Sequence, residues 1–208
     1  MKVVEIKKYG GPEVLKIGSR EIPVLKENEV LIKVKAAGIN RPDILQREGN
    51  YPPPKDSSDI LGLEIAGEVI KVGKKVKNIK ISDKVCALVS GGGYAEYCSA
   101  PFTQCLPIPK GLTFEEACIL PETFFTIWFN LFIKNKVKKK QKILIHGGSS
   151  GIGTTAIQVT KNFGLEVFTT TRSQNKSIKC KKLGAHYSIN TKKTDFEEFI
   201  KKKTNGDG

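Results

Sequence analysis

The sequence has few of the residues that build metal sites and disulfide frameworks. Its 208 residues include two histidines and five cysteines. The cysteines form no C-x-x-C pair and no zinc-finger spacing; they are Cys86, Cys98, Cys105, Cys118 and Cys180. An odd, scattered set of cysteines in a chain without a secretion signal predicts reduced thiols rather than disulfides.

Long apolar runs and a signal peptide are also missing. No uninterrupted apolar run reaches about 18 residues, so we expect no segment that crosses a membrane. The N-terminus alternates like a strand over residues 3–6 and lacks the apolar core of a signal peptide. With 39% hydrophobic residues, the chain is predicted to be globular, and a cytoplasmic location is the expectation.

Negative charge is scarce, and the formal net charge is +14. Six of the nine residues from Lys134 to Lys142 are lysine, and residues 201–203 form a second lysine cluster. These clusters lie just before a predicted buried strand and at the end of a predicted helix, without arginine or interleaved aromatic residues. A solvated surface is therefore favoured over a nucleic-acid interface. The charge also favours a phosphorylated ligand over a cationic one.

A short apolar run over residues 143–145 leads into a glycine cluster that opens a helical pattern. This strand, glycine turn and helix predict a dinucleotide site, with the phosphates at the free N–H groups of the helix start. Gly148 is predicted to allow the tight turn, Gly151 the approach of a pyrophosphate, and Gly153 the close packing of helix on sheet. Ser150 stands where the simplest G-x-G-x-x-G motif has its second glycine. The predicted phosphate-binding residues are Gly148, Ser149, Ser150, Gly151, Ile152 and Gly153. The alternative is a tight turn in some other α/β protein.

The rest of the chain predicts two domains, 1–120 and 121–208. The first has short alternating runs at residues 3–6, 30–34, 65–72 and 85–89, separated by glycine and proline, which predict four strands of a β-rich unit. A capping box at Thr113 and Glu116 starts a helix that Pro121 kinks or splits. From residue 142 onward the pattern predicts strands at 143–146, 165–171 and 187–189 and helices at 152–163, 174–183 and 194–203. This β-α-β-α-β order plus one helix is the first half of a Rossmann sheet. We expect the second half, against which a nicotinamide would rest, to be absent.

The end of the second Rossmann strand predicts the nucleotide. An acidic residue there would bind the ribose 2′-hydroxyl of NAD, but residues 168–173 contain none. Arg172, Ser173 and Lys176 offer two cations and a hydroxyl instead, which favours the 2′-phosphate of NADPH. An ordinary basic helix start in a lysine-rich chain is the alternative.

Several motifs in family order resemble the zinc-independent quinone oxidoreductases, the zeta-crystallin-like group of the medium-chain dehydrogenase/reductase superfamily. They cover nearly the whole chain and lie at residues 10–15, 37–43, 51–54, 61–67, 93–97, 144–153 and 182–185. The resemblance implies a GroES-like β-rich catalytic domain followed by a partial Rossmann domain. It also implies that no zinc binds, because the zinc alcohol dehydrogenases have a cysteine within the segment 40–43 and a histidine at position 63, where this chain has Leu63.

The resemblance carries over specific roles. Asn40, Asp43 and Tyr51 are expected to line the substrate side of the cleft. The alternative is that Asn40 and Asp43 cap a short helix and that Tyr51 is a half-buried aromatic before a rigid proline stretch. Thr126 is expected to contact the nicotinamide ribose or phosphate, and Lys176 matches the group's 2′-phosphate lysine. Thr191 stands where several members have a tyrosine, a departure that weakens the case for NADPH.

The implied reaction is hydride transfer from NADPH to a quinone or conjugated enone, with His146 and His186 in structural roles. A short-chain dehydrogenase is excluded, because its Tyr-x-x-x-Lys pair would have to be Tyr51 and Lys55, which three prolines keep out of a helix. We expect little turnover from 208 residues alone and, as protein partner, a homodimer or a complementing C-terminal polypeptide. A non-catalytic NADPH-binding or partner-binding fragment is the alternative.

Overall fold

In a computed structural model that describes residues 1–206, the chain divides into one unit over Met1–Glu122 and a second that begins at Thr123. The strands of the first unit are β1 (Lys2–Ile6), β2 (Leu15–Ser19), β3 (Glu29–Ala37), β4 (Glu64–Val72), β5 (Lys84–Leu88), β6 (Tyr97–Pro101) and β7 (Cys105–Pro107). Its helices are α1 (Arg41–Arg47) and α2 (Phe114–Ala117), and single 3₁₀ turns occupy Pro12–Val14 and Phe102–Gln104.

The first unit is built on an antiparallel sheet of five strands in the order β6-β3-β4-β5-β7, beside a separate pair of β1 and β2. Alternating apolar side chains from the central strands form its core, which includes Val30, Ile32, Ile65 and Val85. The four strands predicted from alternation are present. Strands β2, β6 and β7 were not predicted, since their short segments carry little apolar alternation.

The segment from Phe114 to Lys134 contains two separate helices. The predicted capping box is present, because Thr113 Oγ1 accepts from Glu116 N–H and the Glu116 carboxylate accepts from Thr113 N–H. Helix α2 ends before Pro121, where α3 (Pro121–Ile127) begins, and α3 continues into a π-helical segment at Trp128–Lys134. The π-helical geometry has no signal in the sequence.

The same segment is long and apolar enough to cross a membrane by length and composition, with a mean hydropathy of 1.2 over its best window. This differs from the prediction of no such segment, which rests on the lack of an uninterrupted apolar run of about 18 residues. The break at Pro121 and the acidic residues Glu115, Glu116 and Glu122 interrupt the pattern. In the structure the segment is a split pair of helices rather than one continuous span.

The second unit has a parallel sheet in the order β10-β9-β8. Its elements are β8 (Lys142–Ile145), α4 (Gly151–Asn162), β9 (Glu166–Thr171), α5 (Gln174–Leu183), β10 (Tyr187–Asn190) and α6 (Phe196–Thr204). The predicted alternation of strands and helices is confirmed to within about two residues at each boundary. Gly184 ends α5 in the left-handed region at φ +117°, a conformation that glycine adopts readily at a helix C-cap.

Helices cover both faces of this parallel sheet. Ile157 of α4 and Cys180 of α5 pack with Val167 on one face. Ile200 of α6 packs with Phe168 and Ile189 on the other. A β-rich unit followed by a partial Rossmann sheet, as predicted, is present.

Strand β8 lies at the edge of this sheet. Within residues 1–206 its only strand partner is β9. Large apolar side chains of α3 and the π-helical segment are exposed in the same unit, with Trp128 and Phe129 both at 55% and Ile133 at 56%. Exposed strand edges and large exposed apolar side chains are surfaces that proteins often cover with further structure.

Candidate active site

Two of the predicted catalytic residues lie together at the start of α1. Asn40 is its N-cap residue, and its backbone N–H donates to Asp43 Oδ2 at 2.7 Å. Asp43 is only 4% exposed, and Tyr94 OH donates to the same Oδ2 at 2.9 Å. Within residues 1–206, Asp43 Oδ1 is buried without a hydrogen-bond partner. The capping alternative for Asp43 is therefore observed, while a catalytic role stays a prediction.

Glu64 joins this cluster from β4, although sequence reasoning did not select it. Its carboxylate accepts from Asn40 Nδ2 at 2.7 Å through Oε1 and from the backbone N–H of Glu122 at 2.9 Å through Oε2. The signal that could have found it is a charged residue inside the apolar segment 61–66, since a buried charge needs partners.

Two carboxyl groups of this cluster, those of Glu64 and Glu122, and the hydroxyl of Tyr94 have pKa values raised above their ordinary range. Burial raises the pKa of Glu64, against the hydrogen bonds from Asn40 and Glu122 that lower it. Burial, then the charges of Glu64 and Asp43, raise the pKa of the Glu122 carboxyl. Burial followed by the Asp43 charge raises the pKa of Tyr94, so its hydroxyl stays a hydrogen-bond donor.

The third predicted catalytic residue, Tyr51, lines a cavity that neither Asn40 nor Asp43 lines. It follows α1, is 43% exposed, and lines a cavity of about 350 Å³. Tyr9, Gln46, Pro52 and Pro53 share this cavity, whereas Asn40 and Asp43 are not among its lining residues.

The glycine loop of the second unit differs in one detail from its prediction. The left-handed residue of the turn is Gly147, at φ +67°, and not Gly148. Glycine is required at position 148 because there is no room for a side chain: a Cβ there would collide with Thr169 Oγ1 of the neighbouring strand. Gly153 packs against backbone atoms of Gly147 and Gly148, as close packing of the helix requires.

Ser150 has its own reason to interrupt the glycine pattern. It is the N-cap of α4, and its Oγ accepts from Gly153 N–H at 3.0 Å. At Gly151 a Cβ would meet only Thr123 Cγ2, at 3.7 Å, so the backbone there borders open space. The first-turn N–H groups of Gly151 and Ile152 have no intrahelical partner. This open, donor-rich helix start fits a pyrophosphate.

Thr123 is a residue that sequence reasoning missed beside this loop. The predicted contact, Thr126, lies one helical turn further along α3 and is partly exposed, and its carbonyl accepts from Asn130 Nδ2 at 2.8 Å. Residues three apart lie on the same side of a helix. Thr123 and Thr126 thus belong to one helix face, of which Thr123 is the part adjacent to Gly151.

The predicted 2′-phosphate residues surround the start of α5. Arg172 and Lys176 are exposed, and Ser173 is the N-cap whose Oγ accepts from Lys176 N–H at 3.4 Å. Two further cations, Lys192 and Lys193, follow β10. The carboxyl ends of parallel strands share one edge of a sheet, so these cations lie at the edge that carries the glycine loop.

Nothing in residues 1–206 gathers three histidine, cysteine, aspartate or glutamate side chains in a metal-binding arrangement. The five cysteines are free and buried. Burial raises the pKa of Cys98 and of Cys105 to about 12, which leaves both thiols protonated and inert at neutral pH.

Comparison with known proteins agrees with both folds. Residues 26–110 match the alcohol dehydrogenase GroES-like domain, and residues 151–208 match the family model described as zinc-binding dehydrogenase. Quinone oxidoreductase of Sus scrofa is 34% identical over 204 residues, which are 97% of this chain and 62% of the relative. The chain thus spans about 62% of the length of the curated relatives it matches.

Solved structures of related reductases have the same fold as this chain. Quinone oxidoreductase of Escherichia coli, complexed with NADPH, superimposes with a TM-score of 0.85 at 33% identity, over 99% of this chain and 63% of that one. The CurK enoyl reductase superimposes with a TM-score of 0.87 at 29% identity, over 100% of this chain and 64% of that one. The folds define a chain of the alcohol dehydrogenase type. The chain belongs to the medium-chain dehydrogenase/reductase superfamily. Within that superfamily it is similar to the quinone oxidoreductases.

Proposed function

We propose that this chain is the larger part of a zinc-independent reductase that transfers a hydride from NADPH to a quinone or a conjugated enone. The observation that carries the proposal is the α4 start, where open space at Gly151 adjoins free N–H groups. The relatives named quinone oxidoreductase and enoyl reductase support the two acceptor classes. We also propose a cytoplasmic location.

The glycine loop would hold the diphosphate of the cofactor. Backbone N–H groups of Gly151 and Ile152 donate to its oxygens, and the positive end of the α4 dipole favours its charge. Thr170 stabilises the loop, because its Oγ1 accepts from Gly147 N–H at 3.2 Å and its carbonyl accepts from Gly148 N–H at 3.0 Å. When bound, NADPH supplies the hydride, and the chain supplies binding and orientation.

The basic residues after β9 would select the phosphorylated cofactor. In the double variant Arg172→Ala/Lys176→Ala, the Kd for NADPH should rise at least about tenfold, because two charge-assisted bonds to the 2′-phosphate are lost. The Kd for NADH, which lacks this phosphate, should change less than about threefold. Fluorescence titration of both cofactors measures the two values.

The matched control is Lys179→Ala/Lys181→Ala, which removes two exposed cations further along α5. This control should raise either Kd by less than about threefold, because it changes only the net charge of the surroundings. An equal loss of NADPH and NADH binding in the Arg172/Lys176 variant would contradict the selective role.

Asn40 and Tyr51 would contact the acceptor. The Asn40 amide and the Tyr51 hydroxyl can both donate hydrogen bonds to an oxygen that gains negative charge as the hydride arrives. Asp43 would act by fixing the start of α1, since it accepts from both Asn40 N–H and Tyr94 OH. The proton for the reduced product would come from solvent or from Tyr51.

Zinc independence is part of the proposal. The segment 40–43, which contains no cysteine, and Leu63 stand where the zinc alcohol dehydrogenases have ligands, so these positions do not supply a three-ligand zinc site. The matching family model is described as zinc-binding dehydrogenase, but its matched segment lies in the nucleotide-binding part of the chain.

The proposal is tested by NADPH oxidation with phenanthrenequinone. The chain, joined to the C-terminal part of the E. coli relative that it does not span, should reduce the quinone at a rate unchanged by phenanthroline, a zinc chelator. An inactive joined chain that binds NADPH normally would instead support a non-catalytic binding fragment.

A further inference from the structure

The side-chain amide proposed to meet the acceptor is held by a buried carboxylate. Glu64 is 2% exposed, and each of its carboxylate oxygens accepts a hydrogen bond, Oε1 from Asn40 Nδ2 and Oε2 from the backbone N–H of Glu122. These bonds are 2.7 Å and 2.9 Å long. All three residues belong to the first unit.

Space for this carboxylate is provided by Gly38. A Cβ at position 38 would collide with Glu64 Oε1. The φ of Gly38 is not in the left-handed region, so glycine is required here by the close approach of Glu64 and not by the backbone conformation. The segment that leads to Asn40 is therefore built around the Glu64 carboxylate.

Hydrogen-bond chemistry then fixes how the amide is turned. An ionised carboxylate only accepts hydrogen bonds, whereas an asparagine amide has a donor end and an acceptor end. Glu64 in its charged form therefore selects the orientation that presents Nδ2, and one N–H of Asn40 is left for another acceptor. A protonated Glu64 could donate to Asn40 Oδ1, which removes this selection.

We propose that Glu64 is a positioning residue, whose carboxylate orients the Asn40 amide so that its second N–H is available to the acceptor oxygen of the quinone or enone. The inference rests on the proposed function, which places the acceptor at Asn40. It deepens that function by assigning the orientation of the amide to a residue that does not touch the acceptor.

The orientation should depend on pH. Burial raises the pKa of Glu64 above the ordinary 4.5, and the charge of Asp43 raises it further. The other titratable groups coupled to Glu64 are Cys86 on β5, Tyr94, Cys118 after α2, and Glu122 on α3. The selected orientation is therefore present above the raised pKa and is lost as pH falls through it.

The test follows the Asn40 side-chain NH₂ signals of the ¹⁵N-labelled chain by NMR, assigned by their loss in Asn40→Ala. In the wild type these signals should titrate with a midpoint above 4.5, the ordinary value of a glutamate. In Glu64→Gln the titration should disappear, because the neutral amide has no proton to gain. The matched control Glu68→Gln, on the same strand, should titrate like the wild type.

Addition of phenanthrenequinone separates this inference from the proposed function. A shift of the Asn40 signals in the wild type that is lost in Glu64→Gln supports both. If Asn40 titrates with Glu64 but ignores the quinone, acceptor binding at Asn40 is wrong while the orientation by Glu64 holds. The inference would be overturned if the Asn40 signals titrate unchanged in Glu64→Gln, or if they do not titrate in the wild type. If the variant does not fold, the wild-type titration alone decides.

Discussion

Alanine at position 151 is expected to raise the Kd for NADPH at least about tenfold, or about 1.4 kcal/mol, without harming the fold. A Cβ at Gly151 meets only Thr123, at an ordinary van der Waals distance of 3.7 Å. The position is the first residue of α4 and has no left-handed φ. The added methyl group therefore fits the free chain, but it occupies the space in which the diphosphate must approach the backbone.

The same substitution three residues earlier is the matched control. In Gly148→Ala the new Cβ collides with Thr169 Oγ1. This hydroxyl is buried and donates to Ile145 O at 2.7 Å. Overpacking of this kind lowers the free energy of unfolding by about 1–3 kcal/mol. The unfolding midpoint of Gly148→Ala should therefore fall by several degrees. Calorimetry with and without NADPH measures both variants. The account is contradicted if Gly151→Ala binds NADPH like the wild type, or if it unfolds as early as Gly148→Ala.

Turnover of phenanthrenequinone should be at least roughly 100-fold faster in the joined chain than in residues 1–208 alone, because loss of positioning has effects of this size. Within residues 1–206, β8 has a free edge and Trp128, Phe129 and Ile133 are exposed. The added strands would cover these surfaces and supply the wall against which a nicotinamide rests. Initial rates of NADPH oxidation under identical conditions measure the ratio.

Two controls make this comparison specific. The joined chain with Asn40→Ala should keep its NADPH affinity and lose turnover, which shows that the first unit supplies the acceptor site. The C-terminal part expressed by itself should be inactive. Equal turnover by the short and joined chains would refute the proposal that residues 1–208 need a complementing C-terminal part.

Local pattern predicted the second unit well. Glycines, caps and helical periodicity are short-range signals, and they placed β8 through α6 within about two residues of their observed bounds. The start of α4 was predicted for the same reason. The role of Gly148 was not, because it depends on Thr169, which comes from the neighbouring strand.

The acidic cluster of the first unit could not be predicted from the sequence. Glu64, Tyr94 and Glu122 meet Asn40 and Asp43 only because β4, α1 and the segments around residues 94 and 122 fold together. These contacts span from 51 to 58 residues in the longest cases. Local propensity carries no information on such pairs, and one buried glutamate among apolar neighbours was the single hint.

The central claim is that the loop before α4 binds the diphosphate of NADPH, and its most direct test is a titration of the ¹⁵N-labelled chain with NADPH. Saturable amide shifts should concentrate at Gly147 through Gly153 and at the start of α5 around Arg172 and Lys176. Shifts confined to other regions, or none at these residues at saturating NADPH, would contradict the account.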